Sequence, residues 1–73
     1  MTITYNNISY GVGDIIRYRG GTYTIWSVYE DKKSGRAAEV AHIVGGHEPY
    51  VRVIFEKEFD KVTLMNKIVG EFD

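Results

Sequence analysis

The sequence predicts a single small all-β domain of mostly antiparallel strands, folded as a small barrel or a curled sheet of about five short strands. Short runs rich in β-branched and aromatic residues are separated by turn signals roughly every eight to twelve residues. No stretch keeps a helical period over the ~10–12 residues that a stable helix needs. Because 73 residues can bury only one core, we expect residues 1–73 to form one domain.

The first predicted element is a tight hairpin near the N-terminus. Asn6-Asn7 separates two short runs of apolar and hydroxyl residues, and asparagine tolerates the left-handed conformation that a two-residue turn requires. Gly11-Val12-Gly13 then breaks the pattern and lets the chain turn a corner. The predicted cross-strand pairs are Ile3 with Tyr10 and Tyr5 with Ile8.

A second hairpin is indicated more strongly by Gly20-Gly21, which lies between two runs rich in β-branched and aromatic residues. Both central residues of a type I′ turn need positive φ, and glycine adopts it without strain. This turn predicts one apolar face and one face carrying arginine, threonine and tryptophan. The predicted pairs are Tyr18 with Tyr23, Ile16 with Ile25, Arg19 with Thr22, Arg17 with Thr24 and Ile15 with Trp26.

The remaining elements are predicted from turn chemistry and alternation. Both faces of the run 36–44 are partly apolar, so the side that meets the core is left open. Residues 56–61 form either a short helical turn or a loop held by Phe59, and the apolar residues of the tail 66–73 predict docking on the domain. The other predicted segments are a strand at 22–29, a polar loop at 30–35, a turn at 45–49 and strands at 50–55 and 62–65.

The segments Gly13-Asp14-Ile15-Ile16-Arg17-Tyr18 and Gly20-Gly21-Thr22-Tyr23-Thr24-Ile25 resemble the opening of many small SH3-like barrels, which start with Gly-Asp, an apolar strand and a tight turn. The resemblance covers about a quarter of the chain. It implies a fold that serves peptide binding, nucleic-acid binding and structural roles alike. In size and general character the chain is also similar to small bacteriophage proteins that bind and redirect host RNA polymerase.

Composition bounds the function classes. Nine basic and ten acidic side chains give a net charge of −1, which disfavours a dedicated nucleic-acid binder. The chain has no cysteine, and no apolar run approaches the ~20 residues of a membrane span. The first residues lack the basic and apolar regions of a signal peptide. We therefore expect a cytoplasmic protein.

Catalytic and metal chemistry find little support in the sequence. His42, His47 and Glu48 are too few for a closed zinc site, which takes four ligands. No serine lies in a nucleophile-elbow context, and Gly11-Val12-Gly13 lacks the lysine and helix of a phosphate loop. The alternating carboxylates of 56–60 lie among lysines and indicate a solvated turn. We predict no enzyme activity, no cofactor and no metal.

Two groups of residues are candidates for partner contact. Arginine and aromatic residues on one sheet face have three interpretations. They form a protein interface, they bind nucleic acid by stacking on bases and contacting phosphates, or they only cover the outside of the sheet. Exposed tyrosines of the first hairpin offer a second patch, unless that hairpin packs on the rest of the domain. The candidates are Arg17, Arg19, Trp26, Lys32, Lys33 and Arg36 in the first group and Tyr5 and Tyr10 in the second.

The predicted function is a noncatalytic interaction module or inhibitor, monomeric or weakly self-associating, that docks on a larger host protein assembly. Transcription machinery, with RNA polymerase as the specific partner, follows from the resemblance to small bacteriophage proteins. The alternatives are a nucleic-acid-binding SH3-like barrel and a structural subunit of a larger assembly.

Overall fold

The computed structural model of the chain describes residues 1–42 and 50–66. These residues form two antiparallel sheets, which confirms the predicted small, mostly antiparallel all-β fold. The strands are β1 (Ile3–Tyr5), β2 (Ile8–Tyr10), β3 (Ile15–Tyr18), β4 (Gly21–Asp31), β5 (Gly35–His42), β6 (Tyr50–Phe55) and β7 (Val62–Asn66), and a 3-10 helix (Glu56–Lys61) joins the last two.

The five-stranded sheet has the order β6-β5-β4-β3-β7, and β1 pairs with β2 in a separate ribbon. Within the described part of the chain the larger sheet is open, with β6 and β7 at its two edges. Of the two predicted architectures, the structure therefore has the sheet and not a closed barrel. It contains seven described strands where about five were predicted, because the short β1–β2 ribbon forms its own sheet.

The N-terminal hairpin confirms its predicted register. Ile3 pairs with Tyr10 and Tyr5 with Ile8. Asn6 and Asn7 have φ of 52° and 66°, so both turn residues take the left-handed conformation of a type I′ turn. The short polar asparagine side chains make this turn accessible without glycine.

The β3–β4 hairpin turns one residue earlier than predicted. Arg19 and Gly20 are the central residues, with φ of 49° and 81°, and Gly21 lies in β4 opposite Tyr18. The predicted pairs were therefore wrong, since Ile16 pairs with Tyr23 and not with Ile25. A β-carbon on Gly21 would lie 2.9 Å from a ring carbon of Tyr23, so the Tyr23 ring occupies the space that this glycine leaves.

The predicted division of the two faces survives that register shift. The shift changes each partner by two residues, and side chains alternate with a period of two, so the strand residues stay on their predicted faces. Arg19 is the exception, because it lies in the turn and not at a strand position. Ile16, Tyr18, Tyr23 and Ile25 are all buried, as the apolar face requires. We call their side of the five-stranded sheet the inner face.

The core lies between the inner face and the β1–β2 ribbon. Ile3 and Tyr10 of the ribbon join the same buried cluster as the inner-face residues, and so does Phe59 of the 3-10 helix. The rings of Tyr10 and Phe59 meet edge to face with centroids 5.1 Å apart. Strands β4, β5 and β6 contribute Ile25, Ala38, Val40 and Ile54.

The predicted segments at 50–55 and 56–61 are confirmed as a strand and a short helical turn held by the fully buried Phe59. The last strand runs one residue beyond the predicted 62–65. The predicted turn at 45–49 lies outside the described residues, as does the predicted docking of the tail beyond residue 66.

Candidate functional site

The side of the five-stranded sheet that faces away from the core is called here the outer face. It carries four large apolar side chains that are 38–44% exposed. Trp26 and Tyr29 come from β4, and Val51 and Val53 come from β6. A group of exposed apolar side chains on one sheet face is typical of a surface that contacts another molecule.

A β-bulge presents Trp26 on this face. The register between β4 and β5 shifts between Ile25 and Ser27, which leaves Trp26 as the extra residue. Bulges re-aim side chains and disrupt pairing locally. The indole is 44% exposed and lies on the opposite side of the sheet from the fully buried Ile25, so Trp26 is a surface residue and not part of the core.

Two alanines of β5 form the floor of the outer face. Ala37 and Ala41 are 0% and 2% exposed, yet neither belongs to the core cluster. The register places Tyr29 and Phe55 on either side of Ala37, and Thr24 and Val51 on either side of Ala41. Glu39 lies between these two alanines on the same face, where it pairs with Ser27 of β4 and Val53 of β6.

Arg17 shares the outer face with Trp26 but lies apart from it. Arg17 pairs with Thr22, which is four residues before Trp26 on β4, so the two side chains are about 13 Å apart along the strand direction. Within the described residues the Arg17 side chain has no hydrogen bond or ion pair. It extends the outer face with an exposed positive charge near the β3–β4 turn.

Arg19 is held by its own neighbours and is not on the outer face, because it occupies the turn and not a strand position. Its Nε donates to the Tyr18 hydroxyl at 2.9 Å, and its guanidinium carbon lies 5.4 Å from the centre of the Tyr18 ring. Its Nη2 lies 3.7 Å from Glu58 Oε2. The structure thus gives Arg19 an intramolecular role at the β3–β4 turn.

The Glu58 carboxylate connects this turn to the 3-10 helix. Lys61 Nζ donates to Glu58 Oε2 at 3.2 Å, and this hydrogen bond, together with the charge of Lys61, is the main cause that lowers the pKa of Glu58; the charge of Arg19 contributes less. The Lys61 side chain is exposed and that of Glu58 is partly exposed, so the contribution to stability is small and is screened by salt.

We expect Lys61→Met to raise the pKa of Glu58 toward its ordinary value of 4.5. The native pKa is below the unfolded one, so the stabilisation is present above the unfolded value and is lost as pH falls through the native value. An NMR titration of the Glu58 carboxyl carbon measures this. Lys57→Met is the matched control and should change the pKa less; an unchanged pKa in Lys61→Met would contradict the assignment.

The predicted basic loop divides into two parts. Lys32 and Lys33 lie in the exposed β4–β5 turn, about 20 Å along β4 from Trp26. Arg36 instead points toward the β1–β2 ribbon, where its Nη1 donates to the Thr2 carbonyl, and its Nε lies 3.8 Å from Glu30. Arg36 is therefore a contact between the ribbon and the sheet, which corrects its assignment to the docking surface.

The two tyrosines of the first hairpin also separate. Tyr10 is 2% exposed and packs on Phe59, so it leaves no surface for a partner and its assignment as a contact residue is corrected. The same burial raises the pKa of its phenol. Tyr5 is 43% exposed. It lies on the ribbon that covers the inner face, so it cannot share a surface with Trp26.

A shallow hollow of about 250 Å³ lies beside Arg36 and is lined by Glu30, Asp31, Gly35 and Glu56. Its polar groups are partly paired, since Glu56 Oε1 accepts a hydrogen bond from the Arg36 backbone N–H at 3.1 Å. In residues 1–42 and 50–66, no group of three or more potential metal ligands comes together. His47 and Glu48, which were considered with His42 as metal ligands, lie outside the described residues.

The outer face contains residues that the sequence did not single out. Tyr29, Val51 and Val53 belong to it, whereas only Trp26 and Arg17 were predicted. The alternation of Val51, Val53 and Phe55 is visible in the sequence, but Ile54 and Tyr50 make the other side of β6 apolar as well. Which side of β6 became the outer face depended on which side packed on the core, and Ile54 is the β6 residue that is buried there.

In the described ranges, no helix has the length and apolar character needed to cross a bilayer. Comparisons of the chain with protein-family models, with curated proteins and with solved structures found no match.

Proposed function

We propose that this protein is a noncatalytic interaction module that docks on a larger protein assembly through its outer face. The observation that supports this is the exposure of Trp26, Tyr29, Val51 and Val53 together on one side of the sheet. Aromatic residues that are partly exposed on a rigid surface are the usual anchors of protein interfaces. Arg17 adds a charged position at the margin of the same face.

The proposed mechanism is occlusion: the outer face presents a group of exposed apolar side chains, and binding covers the partner's own functional surface. The first partner to test is bacterial RNA polymerase, a choice that rests on the resemblance to small bacteriophage proteins. The SH3-like resemblance and the cytoplasmic location stay predictions.

We expect Trp26→Ala to weaken binding to the partner by about tenfold or more, because truncating an interface anchor removes both contact area and water exclusion. Arg17→Ala should weaken it less, since a charge at the rim contributes modestly. The measurement is affinity capture with the tagged protein, then titration of the purified partner, starting with purified RNA polymerase.

Tyr5→Ala is the matched control for that experiment. Tyr5 is 43% exposed and Trp26 is 44% exposed, but Tyr5 belongs to the β1–β2 ribbon, which packs on the inner face, and Trp26 belongs to the outer face. Tyr5→Ala should leave binding unchanged, and thermal unfolding of each variant should verify that the fold is retained. Equal binding by wild type, Trp26→Ala and Arg17→Ala would show that the outer face is not the docking surface.

The same variants distinguish the protein-docking proposal from nucleic-acid binding. Affinity for nucleic acid would fall steeply with added salt. A gel shift at low salt that is lost in Arg17→Ala would replace the protein-docking proposal.

A further inference from the structure

Within the described residues, β6 is an edge strand of the larger sheet. Tyr50–Phe55 pairs with β5 on one side, and on its other side no strand among the described residues pairs with it. It contains no proline, and Arg52 is its one charged residue. Exposed edges in natural proteins usually carry charges, proline or bulges that prevent pairing. The other edge, β7, does have such an irregularity, a register shift opposite Ile15 and Ile16.

Arg52 lies at the middle of this edge strand and projects to the inner face. Its guanidinium carbon is 5.4 Å from the centre of the Tyr18 ring, and its Nη1 is 3.5 Å from the Tyr23 hydroxyl. Arg19 and Arg36 each have a carboxylate within 4 Å, whereas the described residues offer none to Arg52. A half-buried guanidinium with unused donors is a ready partner for a carboxylate.

The surroundings of Arg52 favour an acidic ligand. Arg19 lies against the same Tyr18 ring, and its charge is shared with Glu58, which Lys61 already neutralises. His42 lies next to Tyr23, with ring centres 5.6 Å apart. The described groups in contact with Arg52 are phenols, with an imidazole and a second guanidinium next to them, and the one nearby carboxylate, Glu58, is already shared by Arg19 and Lys61.

We propose that the β6 edge binds an extended segment of the partner protein in antiparallel pairing, with an acidic side chain opposite Arg52 and apolar side chains on the residues next to it. Directly opposite residues in an antiparallel pair have β-carbons about 4.5–5.5 Å apart, which allows an ion pair. The apolar neighbours would lie opposite Val51 and Val53 and extend the outer face. This inference rests on the proposed function, because its ligand is part of the docked protein.

A second copy of the chain fits this edge less well. In a symmetric dimer, β6 would pair with β6 of a second copy across a two-fold axis. Directly opposite residues then point to the same face of the sheet, which requires that the axis pass through a residue and not between two residues. Centring on Arg52 opposes two like charges, and centring on Val53 places an isoleucine opposite Arg52. Centring on Ile54 brings Glu56, but that residue starts the 3-10 helix and its Oε1 already accepts the Arg36 N–H.

The test uses short capped peptides of the pattern Thr-Val-Glu-Val-Thr, titrated into the isotope-labelled protein and followed by amide NMR. The matched peptide has lysine in place of glutamate. We expect the glutamate peptide to shift β6 amides and to bind about tenfold more tightly than the lysine peptide. A third peptide, N-methylated on the amides that face the edge, should lose binding because strand addition depends on backbone hydrogen bonds.

The Arg52→Met variant should lose the preference for glutamate over lysine, whereas Arg17→Met, which removes an exposed arginine from the outer face, should keep it. The two peptides on the wild-type protein test the inference even if Arg52→Met does not fold. Equal affinities, no β6 shifts, or shifts confined to β7 would overturn it. Concentration-dependent β6 shifts without peptide would overturn it in favour of a second copy.

Failure of the peptides is distinguishable from failure of the proposed function. Trp26-dependent capture of a partner together with absent peptide binding would retain the docking module and remove strand addition. Peptide binding that needs Arg52, together with Trp26→Ala capture equal to wild type, would retain the edge site and remove the outer face.

Discussion

Phe59→Ala is expected to unfold the domain or leave it barely folded. Phe59 is 0% exposed, and it is the one buried residue of the 3-10 helix. Replacing a buried phenylalanine by alanine costs about 3–5 kcal/mol, because apolar transfer is lost and a cavity remains. The edge-to-face contact with Tyr10 adds to that loss.

The effect is large relative to the whole stability of the protein. Domains have roughly 0.05–0.15 kcal/mol of stability per residue, which for this length is about 4–11 kcal/mol in total. Chemical denaturation followed by circular dichroism measures the change. Phe59→Leu keeps most of the volume and should lose much less, and Val53→Ala, on the exposed outer face, should change stability little. A midpoint unchanged in Phe59→Ala would mean that the 3-10 helix does not anchor the core.

Asp14→Ala should destabilise the protein by about 1–3 kcal/mol, because it removes a side-chain acceptor and leaves a buried donor unsatisfied. Asp14 is 0% exposed, and its Oδ2 accepts a hydrogen bond from the Gly11 N–H at 2.9 Å. Its backbone also ties the corner to β4, since its carbonyl accepts from the Ile25 N–H at 3.0 Å.

The position closes the corner between the β1–β2 ribbon and the larger sheet. Gly13 takes a φ of 95° there, and its N–H donates to the Ile25 carbonyl at 2.9 Å. Asp14→Asn keeps an acceptor oxygen and should lose less stability than Asp14→Ala. Thermal unfolding of both variants tests this, and equal losses would show that the side-chain acceptor is not what stabilises the corner.

Local signals in the sequence predicted most of the fold correctly. The Asn6-Asn7 turn, the strand at 50–55 and the turn held by Phe59 all depend on neighbouring residues, namely turn chemistry, alternation and one aromatic in a charged segment. The β3–β4 turn lies one residue earlier than predicted, and Gly21 lies in β4, where the Tyr23 ring occupies the space that a side chain would need. The two faces were still correct, since alternation does not depend on that displacement.

The candidate surface followed a different rule. From residue types alone, Arg17, Arg19, Trp26 and Arg36 were candidates in the first group and Tyr10 in the second, and each carries the right chemistry for an interface. Packing separated them, because Tyr10 was needed in the core, Arg19 on its own turn and Arg36 against the ribbon.

The amino-acid pattern was sufficient for the class of fold and for which side chains alternate together, because both are set by residues adjacent in the chain. The order of the strands, the edges of the described sheet, and the assembly of Trp26 with Val51 and Val53 came from pairing between strands that are not adjacent in the chain or are joined by longer connections, such as β3 with β7. Whether a two-sided apolar strand such as β6 turns Ile54 or its valines inward depends on what the rest of the chain packs against it.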